Sequence, residues 1–396
     1  MKKNALLLLL FISLFTNSQT PVQLSVYSEV SIVTADSGSE LFEAFGHSAI
    51  RIKDPVLQLD IIYNYGMFDF NAPNFYTNFV KGKLLYNLGR QRFESFLNSY
   101  NYQKRWVKQQ VLNLNQQEKQ SFFIYLENNA TPNNRQYLYD PYYNNCATKL
   151  RDLSTILLGN KLHFPPLKSI SKDESLRSLM EKEIPWNTWG NFGINLALGN
   201  QLDNIIPEED YMYLPDYVFK KFKVATITVD GKVEDFVKRE EMLLTHPNQK
   251  YKPQVISPFL IFTLFSLLGI WITYNDYKKK KRTKWIDFLS FFFTGTIGVV
   301  LVFLWFFTNH STTPNNFNVL WAFAPNLCIA FLLLKEKPMK WLQVYVTIVA
   351  FLLIVFLIFW IAKIQSFPLA VLPLIVFLFV RYRFLQKHIE SAIFKS

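Results

Sequence analysis

The sequence predicts an α+β domain outside the cytoplasm, followed by a five-helix transmembrane domain. Three observations carry this. The chain opens with two lysines and an apolar run, the pattern of an export signal. Residues 21–250 mix alternating, strand-like runs with apolar residues at helical spacing. Residues 251–396 hold five long, almost uncharged stretches between short polar loops.

In chain order, Met1–Thr20 (MKKNALLLLLFISLFTNSQT) reads as a signal peptide, with a cleavage position near Ser18. An uncleaved anchor is the alternative, and in either case the segment after it is exported. Val22–Thr34 has strand character, and Asp36–Ser39 is a turn. The run after Gly46 alternates, with His47, Ala49 and Arg51 on one face. Gly46 permits a tight turn before it. Leu59–Tyr65 is a second strand, with Asp60, Ile62 and Asn64 on one face. Asn71–Leu88 is aromatic and mixed. Phe93–Tyr102 and Gln116–Leu126 have helical spacing, and Asn128–Arg135 is a polar loop. A helix follows Cys146, with Leu150, Leu153, Ile156 and Leu157 as its apolar positions and Gly159 as its stop. His163 falls in a loop and is read as structural or solvated. Trp186–Gly199 (WNTWGNFGINLALG) is rich in tryptophan and glycine; Trp186 and Trp189 fit an acyl groove or a membrane interface, or a loop on the core. Ala225–Phe236 is a hairpin turning at Asp230-Gly231.

The expected spans are Ser257–Tyr274, Ile286–Phe307, Phe317–Leu334, Leu342–Ala362 and Phe367–Val380. Lysines crowd the loops at 278–284 and 335–340 and the tail from Arg381, whereas Thr308–Asn316 carries no lysine or arginine. Positive charge stays on the cytoplasmic side, so the first domain lies outside and the C-terminus inside. The net charge of +12 is accounted for by these loops and calls for no nucleic-acid partner. Cys146 and Cys328 are the two cysteines, the second within a span, so no structural disulfide is expected. No nucleotide-binding glycine loop and no metal-ligand spacing occurs, and neither cofactor nor metal is expected.

The chemistry centres on YDPYYNNCATKLRDLSTILL, Tyr139–Leu158. Asn144 or Asn145 caps the helix, which puts Cys146 in the first turn, where free N–H groups and the dipole favour a thiolate. A thiol nucleophile needs a base, and the base needs a third group to fix its tautomer. His47 is the candidate base, and Asp60 or Asn64 the candidate orienter. The bland alternative is a small buried core cysteine and a structural histidine. In the uncharged outer loop, His310, Asn315, Asn316 and Asn318 stand where a lipid head group would sit; an ordinary polar loop is the other reading.

"GHSAIRI" followed later by "NNCATKLRDL" resembles the circularly permuted papain-like fold of lecithin:retinol acyltransferase-type enzymes, with the histidine strand before the cysteine helix. ELFEAFGHSAIRI, YNYGMFDF, NNCATKLRD and MYLPDYV, followed by membrane spans, resemble Lnb, the lipoprotein N-acyltransferase family of Bacteroidota. That resemblance covers most of the chain. It implies a phospholipid acyl donor and the α-amine of a diacylglyceryl-cysteine lipoprotein as acceptor, both in the inner membrane. Asn145, His310, Asn318, Trp186 and Trp189 are the candidate substrate-binding residues. Three function classes fit the residues: acyl transfer through a Cys146 thioester, a membrane-anchored cysteine peptidase or amidase, and a non-enzymatic scaffold. The resemblance favours the first.

Overall fold

The computed structural model describes residues 22–168, 173–336 and 339–393. The expected signal segment Met1–Thr20 lies outside the described residues. The first domain contains the strands β1 (Glu29–Ala35), β2 (His47–Asp54), β3 (Leu59–Met67), β4 (Leu85–Arg92), β5 (Val107–Leu112), β6 (Gln136–Leu138), β7 (Leu162–His163), β8 (Thr226–Val229), β9 (Lys232–Asp235) and β10 (Val237–Leu244). Seven of them form one antiparallel sheet in the order β10-β5-β1-β2-β3-β4-β6, and β7-β8-β9 form a small second sheet. The helices of this domain are α1 (Phe75–Val80), α2 (Phe93–Tyr102), α3 (Gln116–Asn129), α4 (Cys146–Leu158), α5 (Leu176–Glu183), α6 (Trp189–Ala197) and α7 (Pro215–Val224). The domain is therefore α+β, as expected.

The histidine strand starts where its glycine allows. Gly46 has φ +72°, and a Cβ there would stand 2.9 Å from the Ala35 carbonyl oxygen. The chain can then turn and pair His47 with Ala35 across β1–β2. Asp230 and Gly231 both have positive φ, which the two-residue turn of β8–β9 demands. Two expectations shift. The first strand begins at Glu29, because the preceding backbone is held by side chains of α3 and β2 instead: Gln120 accepts from Leu24 N–H and Asp54 accepts from Ser25 N–H. The mixed stretch Asn71–Leu88 divides into α1 and the start of β4.

Helix α4 packs across β2 and β3. Ala147, Leu150, Leu153 and Leu158 are buried in one cluster with Ile50, Ile52, Tyr63 and Phe122. Each large buried side chain of this kind contributes about 1.5–3 kcal/mol. Ile156, expected on this face, is 66% exposed, and Ser154 takes the inward place, donating to the Leu150 carbonyl. At 3.6 residues per turn, position 154 follows 147 and 150 onto the buried face, and 156 does not.

The second domain contains α8 (Pro258–Lys279), α9 (Lys284–Phe306), α10 (Asn326–Leu332), α11 (Leu342–Ile361) and α12 (Leu372–Ile393). Among the described residues, four helices are long and apolar enough to cross a membrane, where five spans were expected. The expected third span, Phe317–Leu334, is a 3-10 turn at Phe317–Leu320 followed by the seven-residue α10. Its backbone lies directly on α9: a Cβ at Gly295 would stand 2.0 Å from Leu327 N, and one at Gly298 2.1 Å from Ala322 O. Side chains serve the interrupted backbone. Asn318 accepts from Trp321 Nε1 at 2.9 Å, and Asn326 donates to Thr294 at 2.9 Å. A broken segment is tolerated at membrane depth only when it is enclosed by protein in this way.

The last span runs on past its expected end at Val380, because Arg381 is not a boundary. It is fully buried, with Nε 2.6 Å from Asp287 and Nη1 2.8 Å from Asp276, and Arg282 meets the other Asp287 oxygen at 2.8 Å. Two arginines and two aspartates thus neutralise one another and clamp α8, α9 and α12. Removing one partner of such a cluster leaves a buried charge, at a cost of about 3–5 kcal/mol. Arg381→Leu should accordingly lower the melting temperature of the detergent-purified protein sharply, and the charge-balanced pair Arg381→Leu with Asp287→Leu should recover part of the loss. A double variant less stable than the single one would show that the clamp is not held by charge balance.

Candidate active site

Cys146 enters the site from the N-terminus of α4. Asn145 caps that helix: its Oδ1 accepts from the N–H groups of Ala147 and Thr148, each at 2.9 Å, while the Thr148 hydroxyl accepts from Asn145 N–H at 2.8 Å. The Asn145 amide donates to the Pro141 and Tyr213 carbonyls. Asn145 is therefore a buried cap that ties α4 to the segment before α7, with no free polar atom for a substrate. Of the two possible caps, Asn145 is the one used.

His47, the first residue of β2, meets Asn64 of the neighbouring β3: Nε2 lies 2.5 Å from Asn64 Oδ1. Cys146 bonds the same imidazole. With Nε2 occupied by Asn64, Nδ1 is the nitrogen left for the sulfur. Asp60, the other candidate orienter, is committed elsewhere. Both its oxygens grip Arg51, at 2.7 Å from Nε and 2.7 Å from Nη2, and Arg51 also stacks on Phe93. Asp60 thus neutralises a buried arginine, and Asn64 holds the histidine.

Strand β3 bulges just after Asn64. Asn64 pairs with Gly89 but Met67 with Asn87, so β3 carries one extra residue. Gly66, at φ +94°, sits in the bulge, and a Cβ there would stand 3.8 Å from the Cys146 Cβ and 3.9 Å from the Tyr139 ring. The sequence alone did not single out Gly66 or Tyr139 as site residues. A glycine inside the strand pattern YNYGMF was the available signal for a bulge.

Electrostatics couple the pair. Burial alone would raise the Cys146 pKa, but the facing imidazolium, its hydrogen bond and the Ser48 and Ala147 backbone N–H groups hold it below the ordinary thiol value. Burial works against charge on His47 too, yet the Cys146 thiolate and the bonds to Cys146 and Asn64 raise its pKa. Both shifts favour a thiolate–imidazolium pair. The arrangement can deliver a nucleophilic sulfur and an oriented proton carrier.

The remaining candidates lie around this centre rather than in it. His310 is half-buried, its backbone packed against Gly82, and Ser311 bonds Asp140 in the turn before α4. Asn318 is fully buried, its amide bonding Asn316 Oδ1 and the Asn195 and Leu196 carbonyls. It joins the two domains and cannot face a substrate. Trp189 Nε1 donates to the Ile256 carbonyl at 2.8 Å, and the Trp186 ring lies 5.8 Å from Phe259, so both tryptophans pack beside the start of α8. Both cysteines are free, and among the described residues no group of three His, Cys, Asp or Glu is placed to hold a metal. His163 is exposed on β7.

Residues 21–180 match the family model described as the Lnb N-terminal periplasmic domain, and residues 250–390 match the one described as the Lnb transmembrane domain. Comparison with curated proteins and with solved structures gives no match.

A thiolate–imidazolium pair carries a pH signature. The thiolate is present above the lowered Cys146 pKa and is lost as pH falls through it. Iodoacetamide labelling of Cys146, followed on its own peptide to keep Cys328 apart, should persist to lower pH than for an ordinary thiol. His47→Ala should move the labelling curve back up. Coincident curves for the two proteins would mean that His47 does not stabilise the thiolate.

Proposed function

The chain belongs to the Lnb family, as an inner-membrane protein with a periplasmic N-terminal domain, and we propose that it is a lipoprotein N-acyltransferase working through a Cys146 thioester. The observation that carries the reading is the Cys146–His47–Asn64 constellation, built from the head of a helix and two adjacent strands. The order of histidine strand before cysteine helix also supports reading the domain as a circularly permuted papain-like fold.

In this reading the Cys146 thiolate attacks the carbonyl carbon of a phospholipid acyl ester. The new C–S bond forms as the C–O bond breaks, and His47 passes its proton to the departing glycerol oxygen. Asn64 accepts from Nε2–H throughout and keeps Nδ1 turned to the sulfur. Because Asn145 takes the Ala147 and Thr148 N–H groups, Cys146's own N–H is the helix-terminal donor left for the oxyanion. In the second half, the α-amine of the diacylglyceryl-cysteine lipoprotein attacks the thioester, His47 receives the amine proton, and the thiolate leaves. His310, beside the domain junction, is the residue we assign to the lipid head group. No cofactor enters either half. The C-terminus lies in the cytoplasm, so that α12 ends on the side opposite the site.

The same pair could pass the acyl group to water or cleave an amide, which makes a hydrolase or peptidase the competing reading. Purified protein given phospholipid without acceptor should gain the mass of one acyl chain on the Cys146 peptide, removable by neutral hydroxylamine. Acyl release to water equally fast with and without lipoprotein would favour the hydrolase. Asn64→Ala should cut turnover by about a hundredfold or more without unfolding the protein. Asp60→Asn should act on stability and leave the acylation rate of the folded fraction near wild type, and His310→Ala should cost less than His47→Ala. Equal losses at Asp60 and Asn64 would overturn the assignment of the orienting residue.

A further inference from the structure

An aromatic surface runs from α1 to the site. Phe70 and Phe75 have ring centroids 5.3 Å apart, Phe68 and Phe70 4.8 Å, Phe68 and Tyr86 5.0 Å, and Tyr86 and Tyr139 stack at 4.3 Å. Tyr139 then meets Cys146 across Gly66, where no side chain intervenes. The outer end of this run is uncovered: Phe70 is 50%, Tyr76 69% and Phe79 49% exposed. So large an exposed apolar patch beside a catalytic thiol marks a contact surface.

Its position identifies what covers it. The Lys81 carbonyl at the end of α1 accepts from Asn309 N–H at 2.9 Å, and Gly82 lies against the His310 backbone. Helix α9 ends three residues before Asn309, at Phe306, where Phe306 and Phe307 are themselves exposed. Helix α1 is therefore pinned at the depth of the last turn of a membrane-crossing helix. Two exposed lysines, Lys81 and Lys83, follow its apolar residues, as phosphate-facing cations follow the buried face of an interfacial helix.

We propose that α1 and its aromatic flank, Phe70 to Val80, are inserted in the periplasmic leaflet and form the portal through which an acyl chain passes from the bilayer to Cys146. The insertion stands on position and exposure alone; the acyl cargo rests on the acyltransferase reading. Aromatic rings suit both tasks, since they are stable at the lipid–water boundary and present a continuous apolar wall to a methylene chain.

Two measurements on the full-length protein separate these claims. First, a photoreactive benzoylphenylalanine is placed at position 76, or at position 233 on the β8–β9 hairpin as control. The protein is reconstituted in phosphatidylethanolamine–phosphatidylglycerol vesicles and irradiated. Position 76 should cross-link phospholipid several-fold above position 233, and equal yields would overturn the insertion. Second, Tyr76→Asp with Phe79→Asp, both at exposed positions, should slow acylation of Cys146 by vesicle phospholipid about tenfold or more. Acylation by the water-soluble p-nitrophenyl butyrate should be unchanged. Equal slowing with both donors, or no slowing with either, would overturn the portal. Lipid cross-linking from benzoylphenylalanine at position 76, together with wild-type protein that is acylated by neither donor, would refute the acyltransferase reading and leave the insertion standing.

Discussion

The structure depends on how the periplasmic domain is fixed to the bundle. On the acyltransferase reading, chemistry between two membrane-anchored substrates requires a site at constant height above the bilayer, and a domain tethered by one linker would not supply it. A polar seam does. Gly199 N–H donates to the Thr312 carbonyl, Asn200 N–H to Asn315, the Asn316 amide to Leu196, and Ser366 N–H to Asp203. Asp203 is itself held by the buried Arg177, which reaches Asn195 and the Leu198 and Gly199 carbonyls. The fit is close enough that a Cβ on Gly199 would stand 1.7 Å from the Pro314 oxygen. Buried backbone groups on each side lose their partners if the domains part, so separation is costly.

That seam explains the interrupted third span. Asn316 and Asn318 lie at its head and face the periplasmic domain, so the chain gives up helical bonds there to make bonds between domains. The glycine face of α9 admits the resulting loose backbone. At the other end of the bundle, the Arg381–Asp276–Asp287–Arg282 cluster fixes α8, α9 and α12 against one another. One end of the bundle is thus locked by ion pairs and the other by amides. The site sits over the amide end.

Within the site, restraint comes from strands rather than loops. His47 and Asn64 belong to paired strands, and Cys146 to a capped helix packed on both, so little conformational entropy is lost when the thiolate forms. The bulge at Gly66 leaves open the space over the sulfur where the aromatic run arrives.

Local rules in the sequence determined much of this protein. The glycine before His47, the asparagine before Cys146 and the Asp-Gly of the hairpin each specify a backbone conformation through their own chemistry, and the elements formed there. Long uncharged runs marked four of the membrane helices, because hydrocarbon leaves a helix little alternative. Partnership was beyond such rules. Asp60 and Asn64 lie on the same strand and were equal candidates until cross-strand packing gave Asp60 to Arg51 and Asn64 to His47. Asn318 and Asn145 read as site residues because a polar side chain near a membrane face looks available; tertiary bonds had already used them. Arg381 looked like the end of a span because a lone arginine cannot be buried, yet two aspartates a hundred residues away in sequence make it buriable. Periodicity is set by nearest neighbours along the chain. The partner of a polar group is set by which distant segments the fold brings within three ångströms, and only the tertiary structure contains that.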